Sequence, residues 1–342
     1  MSAIGSLLKR AGNDALAVNP RVAEIDITTH ASDWLWAVFS VMCLTAIVLF
    51  ALGMRRPVGE RAFHELAAAV CFTASIAYFA MASDLGATAV PVEFVRGGSL
   101  GENWRALGVQ DPTRSIWYAR YIDWTITTPL LLLELALATG LPLSQIFILI
   151  FMDILMIITG LIGALVPSVY KWGFFTFGCA ALFVIWYILL VPGRASAAHL
   201  GSDYHKAYLT STCILSFLWL LYPIAWGLCD GGNVITPTSE MIFYGVLDLL
   251  AKPVYCLIHV FAIQKLDYSR LGFSSGKYSD GMPQQGLLNE KNAYSTADTP
   301  RASMAPSAAN MNGSNAASPT GAANPAWVNN HHTPTTRTVE TA

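Results

Sequence analysis

Apolar residues gather into seven blocks along the chain, roughly 34–54, 61–83, 114–138, 142–166, 172–192, 206–228 and 240–264. Each comes close to the ~20 residues that a bilayer core demands of an α-helix. The pattern predicts an all-α fold, a seven-transmembrane-helix bundle over 34–267, with residues 1–33 as an N-terminal segment outside the membrane. Only one connection is long, residues 84–113. Its TAVPVEFVRGG stretch alternates in a way that fits a short β-hairpin over the outer face, and equally an irregular lid. From residue 268 to 342 the apolar blocks give way to Ser, Ala, Asn, Pro and Thr. That composition has too few large apolar side chains to fold alone and reads as a disordered cytosolic tail.

Composition sharpens the class. Hydrophobic residues make up 54% of the 342, charged residues 12%, and the formal net charge is −2. Such a chain is solvated by membrane lipid, and its charge balance does not suit nucleic acid as a partner. Six cysteines fall mostly inside apolar blocks without ligand-like spacing, which disfavours a disulfide framework and a zinc site. The first 33 residues show no cleavable signal pattern, so the first span is expected to direct insertion. An odd number of spans places the termini on opposite sides. Arg55, Arg56 and Arg61 follow the first span while Glu24, Asp26 and Asp33 precede it, which puts the N-terminus outside and the C-terminus in the cytosol.

Polar residues inside the blocks carry the candidate chemistry. Lys252 lies near the middle of the seventh block, with Asp248 one helical turn before it. A lysine at membrane depth costs on the order of 3 kcal/mol, so its amine needs a reason to be there: a structural ion pair, or chemistry such as a Schiff base. The third block holds Arg120, Asp123, Thr127 and Glu134. At about 100° per residue, Asp123, Thr127 and Glu134 fall within about 40° of one another, and Arg120 lies about 60° from Asp123. A local Arg120–Asp123 salt bridge would account for two of these residues. Glu134, roughly 16 Å along the axis from Asp123, is left over, and two acids so spaced on one face suggest successive stations for a proton. In the fourth block Asp153 can reach Thr128 as a packing acid. In the sixth, Trp219, Tyr222 and Trp226 recur beside Pro223 as an aromatic stripe that, with Trp124, could wall a flat apolar ligand.

Three pieces, RYIDWTITTPLLLLE at 120–134, WLLYPIAW at 219–226 and DLLAK at 248–252, occur in that order on the third, sixth and seventh spans. At these residues the chain resembles microbial (type 1) rhodopsins, and among them the fungal proton-pumping and photosensory opsins. The resemblance covers about residues 30–267. It implies all-trans retinal bound covalently to Lys252 as a protonated Schiff base. It also implies Asp123 as counterion and first proton acceptor, Asp248 as second counterion and Arg120 as the guanidinium that steadies both. Glu134 takes the position of the cytosolic proton donor and Glu240 that of a proton-release acid. Asp230 falls close to, but not squarely on, the place of the release partner. Trp124, Leu131, Met156, Gly160, Trp219, Tyr222, Pro223 and Trp226 resemble the retinal cage. Tyr78 matches a tyrosine near the Schiff base, and Thr127 and Thr128 match threonines that bond Asp123 and Asp153. Phe175 and Gly178 depart from the archaeal pattern, where tryptophan and serine stand.

The expectation is a light-driven outward proton pump, a transporter rather than an enzyme, embedded as a multi-pass protein in the plasma membrane. The alternative is a sensory photoreceptor of the same fold with a slow photocycle. Lipid and protons are the expected partners; homo-oligomerisation and a signalling transducer are left open by the sequence.

Overall fold

The computed structural model describes residues 13–95, 109 and 111–271. Seven long helices run back and forth: α1 Thr29–Met54, α2 Ala62–Ala82, α3 Tyr118–Leu137, α4 Leu143–Leu165, α5 Lys171–Leu200, α6 Ser202–Gly231 and α7 Pro237–Ile263. Neighbours in sequence pack against one another, and α7 returns against α1 to close the ring. Six of the seven are long and apolar enough to cross a membrane. The other, α3, carries Arg120, Asp123 and Glu134 and buries all three in the interior. Helices are the form that lipid permits, since each satisfies its own amides and carbonyls where no water is present. Large side chains such as Leu44, Ile47, Phe147, Phe183 and Phe217 point outward, as a lipid-facing surface requires.

Several helices outrun their apolar blocks. α5 continues to Leu200 and α6 begins at Ser202, where Asp203, His205 and Lys206 stay helical. Hydropathy marks the part immersed in lipid, whereas backbone hydrogen bonding carries a helix beyond it. α3 shows the opposite correction, starting at Tyr118 rather than 114. Residues Thr113–Ile116 form strand β2, paired antiparallel with β1, Thr88–Pro91, so that Thr88 faces Ile116 and Pro91 faces Thr113. A sheet does cover this end of the bundle, but the partner of TAVP is the approach to α3 and not the VEFVRGG that follows it. Ile25 adds one parallel bridge to Arg114 on the free side of β2. Glu24 fastens the same edge by accepting from the Thr113 amide and hydroxyl, bonds that hold its carboxyl below the usual range. Gly86, at φ +84°, makes the turn into the sheet and accepts from the Ala119 amide; a Cβ there would run into the Ala119 methyl.

Three π-turns interrupt the helices, at Leu189–Gly193, Gly227–Gly231 and Leu250–Val254. The first and third contain Pro192 and Pro253, which lack the amide that a regular α-turn would use. Lys252 sits in the third. Beyond α7, the turn Tyr268–Leu271 buries Tyr268 against Phe63 and Ile263, so the packed chain extends four residues past 267. The tail from 272 to 342, and the 96–108 part of the long connection, lie outside the described residues.

Asp84 follows α2 at φ +59° and is almost fully buried. Burial, with the nearby charge of Asp26 adding to it and Arg21 opposing, pushes its carboxyl up to about 6. An acid with a raised folded-state value contributes stability that is present below its unfolded value near 3.8 and is lost as pH rises through about 6. Asp84→Asn is expected to melt higher than the parent at pH 7–8, with the gain vanishing near pH 4. Thermal unfolding of the purified protein across this range checks it.

Candidate functional site

α3 and α7 meet at the centre of the bundle, and Lys252 is fully buried there. Its Nζ lies 2.5 Å from Asp123 Oδ2 and 3.5 Å from Asp248 Oδ2. The second contact follows from i, i+4 spacing on α7; the first needs the packing of two helices. Tyr78 donates to Asp248 Oδ2 at 2.7 Å and Tyr222 to Oδ1 at 2.6 Å. Asp248 is thus held from α2, α6 and α7 together. Asp123 uses one carboxylate oxygen on Lys252, and its other has no partner among the described residues. Thr127 donates to the Asp123 main-chain carbonyl at 2.9 Å, and its hydroxyl also lies close to the carboxylate. A buried pair of this kind is sensitive to removal of one member, at a cost of about 3–5 kcal/mol, because the other charge is then stranded.

A cavity runs from Lys252 between α3, α4, α5 and α6. Trp124, Thr128, Leu131, Met156, Gly160, Trp219, Tyr222, Pro223 and Trp226 all line it. Tyr78, Thr127 and Asp153 do not; they stand behind the wall and brace it. Thr128 donates to Asp153 Oδ2 at 2.7 Å and to the Trp124 carbonyl at 2.7 Å, tying α3 to α4. Trp226 donates to the Gly160 carbonyl, and Phe175 stacks on Trp226 at 4.9 Å, taking over a wall position. The walls are apolar and aromatic with one amine among them, the composition of a site for a long apolar ligand with a single covalent or ionic anchor.

Arg120 departs from expectation. It makes no ion pair with Asp123 or Asp248 among the described residues; Nη1 donates to Glu240 Oε1 at 2.6 Å, and its guanidinium lies 4.1 Å from the Tyr244 ring centroid. Helical side chains lean toward the helix N-terminus, so Arg120 reaches toward the sheet and away from Asp123 one turn later. Arg114 donates to the other oxygen of Glu240 at 2.7 Å and to Asn233 and the Ile235 carbonyl. Glu240 therefore sits between two arginines. Asp230 accepts from Tyr121 at 2.6 Å, and the Lys171 amine approaches its carbonyl. Asp230 and Glu240 share no hydrogen bond among the described residues, yet they lie within electrostatic reach.

Sequence reasoning missed Arg114, Tyr121, Lys171, Asn233 and Tyr244. Arg114 and Tyr121 flank the Arg120 motif closely enough to have been flagged, but their partners lie more than 100 residues away. At the other end of α3, Glu134 is wholly buried, and neither carboxylate oxygen has a hydrogen-bond partner among the described residues. It lies on the face predicted for it, far from Arg120, Asp230 and Glu240.

Residues 29–266 match the family model described as bacteriorhodopsin-like protein. The protein FDD123 of Trametes versicolor is 51% identical over 79% of this chain and 90% of its own length. The opsin-like protein carO of Fusarium fujikuroi is 48% identical over 76% of this chain and 84% of its own. The crystal structure of a light-driven proton pump from Leptosphaeria maculans superposes with a TM-score of 0.65 at 33% identity, over 71% of this chain and 100% of that one. With the family model spanning most of the chain and a lysine braced by two carboxylates at the bundle centre, this protein belongs to the bacteriorhodopsin-like family of microbial rhodopsins.

Proposed function

We propose that this protein is a light-driven outward proton pump with all-trans retinal bound covalently at Lys252. The family comprises light-driven transporters and photoreceptors. The observation that carries the transport reading is the placement of acids along one axis: Asp123 against Lys252, Glu134 buried on the far side, Glu240 and Asp230 toward the sheet. The cavity fits retinal because its walls are apolar and aromatic and the Lys252 amine opens into it. When bound as a protonated Schiff base, retinal supplies light absorption and an isomerisation that changes the proton affinity of the Lys252 nitrogen.

The remaining work falls to the chain. Asp123 and Asp248 balance the positive charge at the Lys252 nitrogen, which apolar rings alone would not tolerate. Asp123, with one oxygen on that nitrogen and the other uncommitted, accepts its proton. Asp248, holding the hydroxyls of Tyr78 and Tyr222 on its two oxygens, stays in place beside it. Neutralising Asp123 alters the field on Arg120, which already leans on Glu240, and a proton leaves through the cluster of Arg114, Arg120, Asp230 and Glu240. Glu134, buried with neither carboxylate oxygen hydrogen-bonded among the described residues, returns a proton to the Lys252 nitrogen from the other side. Arg55, Arg56 and Arg61 at the Glu134 end support a cytosolic side there, with the sheet end outside the plasma membrane. Direction then follows from the order of the acids.

Illuminated cells expressing the protein are expected to acidify their medium, with the signal abolished by a protonophore and absent in Asp123→Asn. A light response without net acidification would favour the sensory reading instead. Lys252→Ala is expected to give no visible band when retinal is added to the purified protein; a normal band would overturn the covalent assignment. In Glu134→Gln, recovery of the dark absorption band after a flash is expected to slow by roughly 10²-fold or more, the contribution of a positioned proton donor. Flash spectroscopy beside the parent protein measures it.

A further inference from the structure

The donor reading leaves a chemical demand unanswered. Once Glu134 has given up its proton it is a fully buried carboxylate, and the apolar cluster of Phe63, Ala138, Ile263 and Tyr268 closes the end of the bundle beyond it. A proton from solution has to cross that plug. We propose that His259 is the relay that recharges Glu134, taking a proton from the end remote from the sheet and passing it inward.

His259 lies on α7 two turns past Lys252, on the same inward face and about 10 Å along the axis. It is completely buried, and its ring faces the main-chain carbonyl of Glu134. Ser211 of α6 holds Nδ1 at 2.8 Å, Tyr255 stacks on one face of the ring at 5.7 Å and 11°, and Phe63 meets it edge-on. Orientation is therefore set from three sides. Although the ring reaches the Glu134 carbonyl, Nε2 makes no well-formed hydrogen bond among the described residues. The same is true of both Glu134 oxygens and of the Tyr255 and Tyr268 hydroxyls. A buried polar atom without a well-formed hydrogen bond costs about 1–3 kcal/mol, a cost that an apolar side chain at 259 would avoid. The other buried imidazole at this end, His64, packs against Gly53 of α1.

Ser211 can donate to Nδ1 or accept from it, so it tolerates either ring tautomer while keeping the ring still. The transfer balances simply. With Glu134 ionised, a proton from water forms an N–H bond on the neutral imidazole, and the imidazolium is balanced by the carboxylate. The Nε2–H bond then breaks, an O–H bond forms on Glu134, and the ring returns to neutral with its proton on Nδ1. Groups facing this exchange are Cys71 on α2, Tyr255 and Cys256 on α7, Ser211 on α6 and Tyr268 beyond α7.

This inference rests on Glu134 being the donor, and the test separates the two. Time-resolved infrared spectroscopy of the full-length pigment follows the Glu134 carboxylic-acid band in the parent, His259→Gln and Ser211→Ala. In His259→Gln, loss of the Glu134 proton is expected at the parent rate. Its return should slow by roughly tenfold or more, become proportional to proton concentration over about pH 6–8, and recover on adding imidazole. Ser211→Ala should slow the return by about threefold, the effect of a less firmly held ring. Return at the parent rate in His259→Gln overturns the relay while leaving the donor standing. If His259→Gln forms no pigment, an unchanged return in Ser211→Ala overturns it. A Glu134 band that never changes in the parent overturns donor and relay together.

Discussion

A positive charge at the centre of a lipid-embedded bundle constrains nearly everything around it. Lys252 cannot be solvated there, so carboxylates from two helices close on it, one at 2.5 Å and one at 3.5 Å. Each carboxylate in turn needs a partner. Asp248 takes hydroxyls from Tyr78 and Tyr222, which ties α2 and α6 to α7. Asp123 is left with an uncommitted oxygen. That difference between two otherwise similar acids separates a group suited to accept a proton from one suited to hold a charge.

Polar side chains elsewhere in the interior are arranged by the same economy of partners. Toward the sheet, two arginines bracket Glu240 and a tyrosine caps Asp230, so charge is abundant and closely paired. Toward the other end, Glu134, His259 and Tyr255 lie among apolar side chains with few partners among the described residues. One end holds acids and arginines in a network, and the other holds isolated polar groups among apolar side chains. Under the proposed pumping reading, the path between them is asymmetric before any light is absorbed. The π-turn at Leu250–Val254 adds a local irregularity at the residue where chemistry is proposed.

Local features of the chain can be traced in the same terms. The two-stranded sheet was half legible: alternation in TAVP marked β1, but β2 was hidden inside what hydropathy assigned to a helix. Thr113–Ile116 carries Arg114, whose burial depends on Glu240 and Asn233 far along the chain. The Arg120–Asp123 bridge allowed by helical spacing does not form, because a nearer-lying carboxylate from α7 competes for the guanidinium and side-chain lean favours it.

By itself the sequence determined the seven helices, the polar face of α3, the lysine and its i, i+4 acid, and the aromatic stripe of α6. These are periodic or local properties, and a bilayer leaves the backbone little choice but helix. Only the tertiary structure decided which oxygens meet which nitrogens: Asp123 on Lys252, Glu240 between Arg114 and Arg120, Asp230 on Tyr121, and the His259 ring beside Glu134. Those contacts join residues more than 100 positions apart, through side chains whose directions depend on how helices rotate against one another. Hydrophobic pattern specifies that a face turns inward; what it finds there is set by its neighbours.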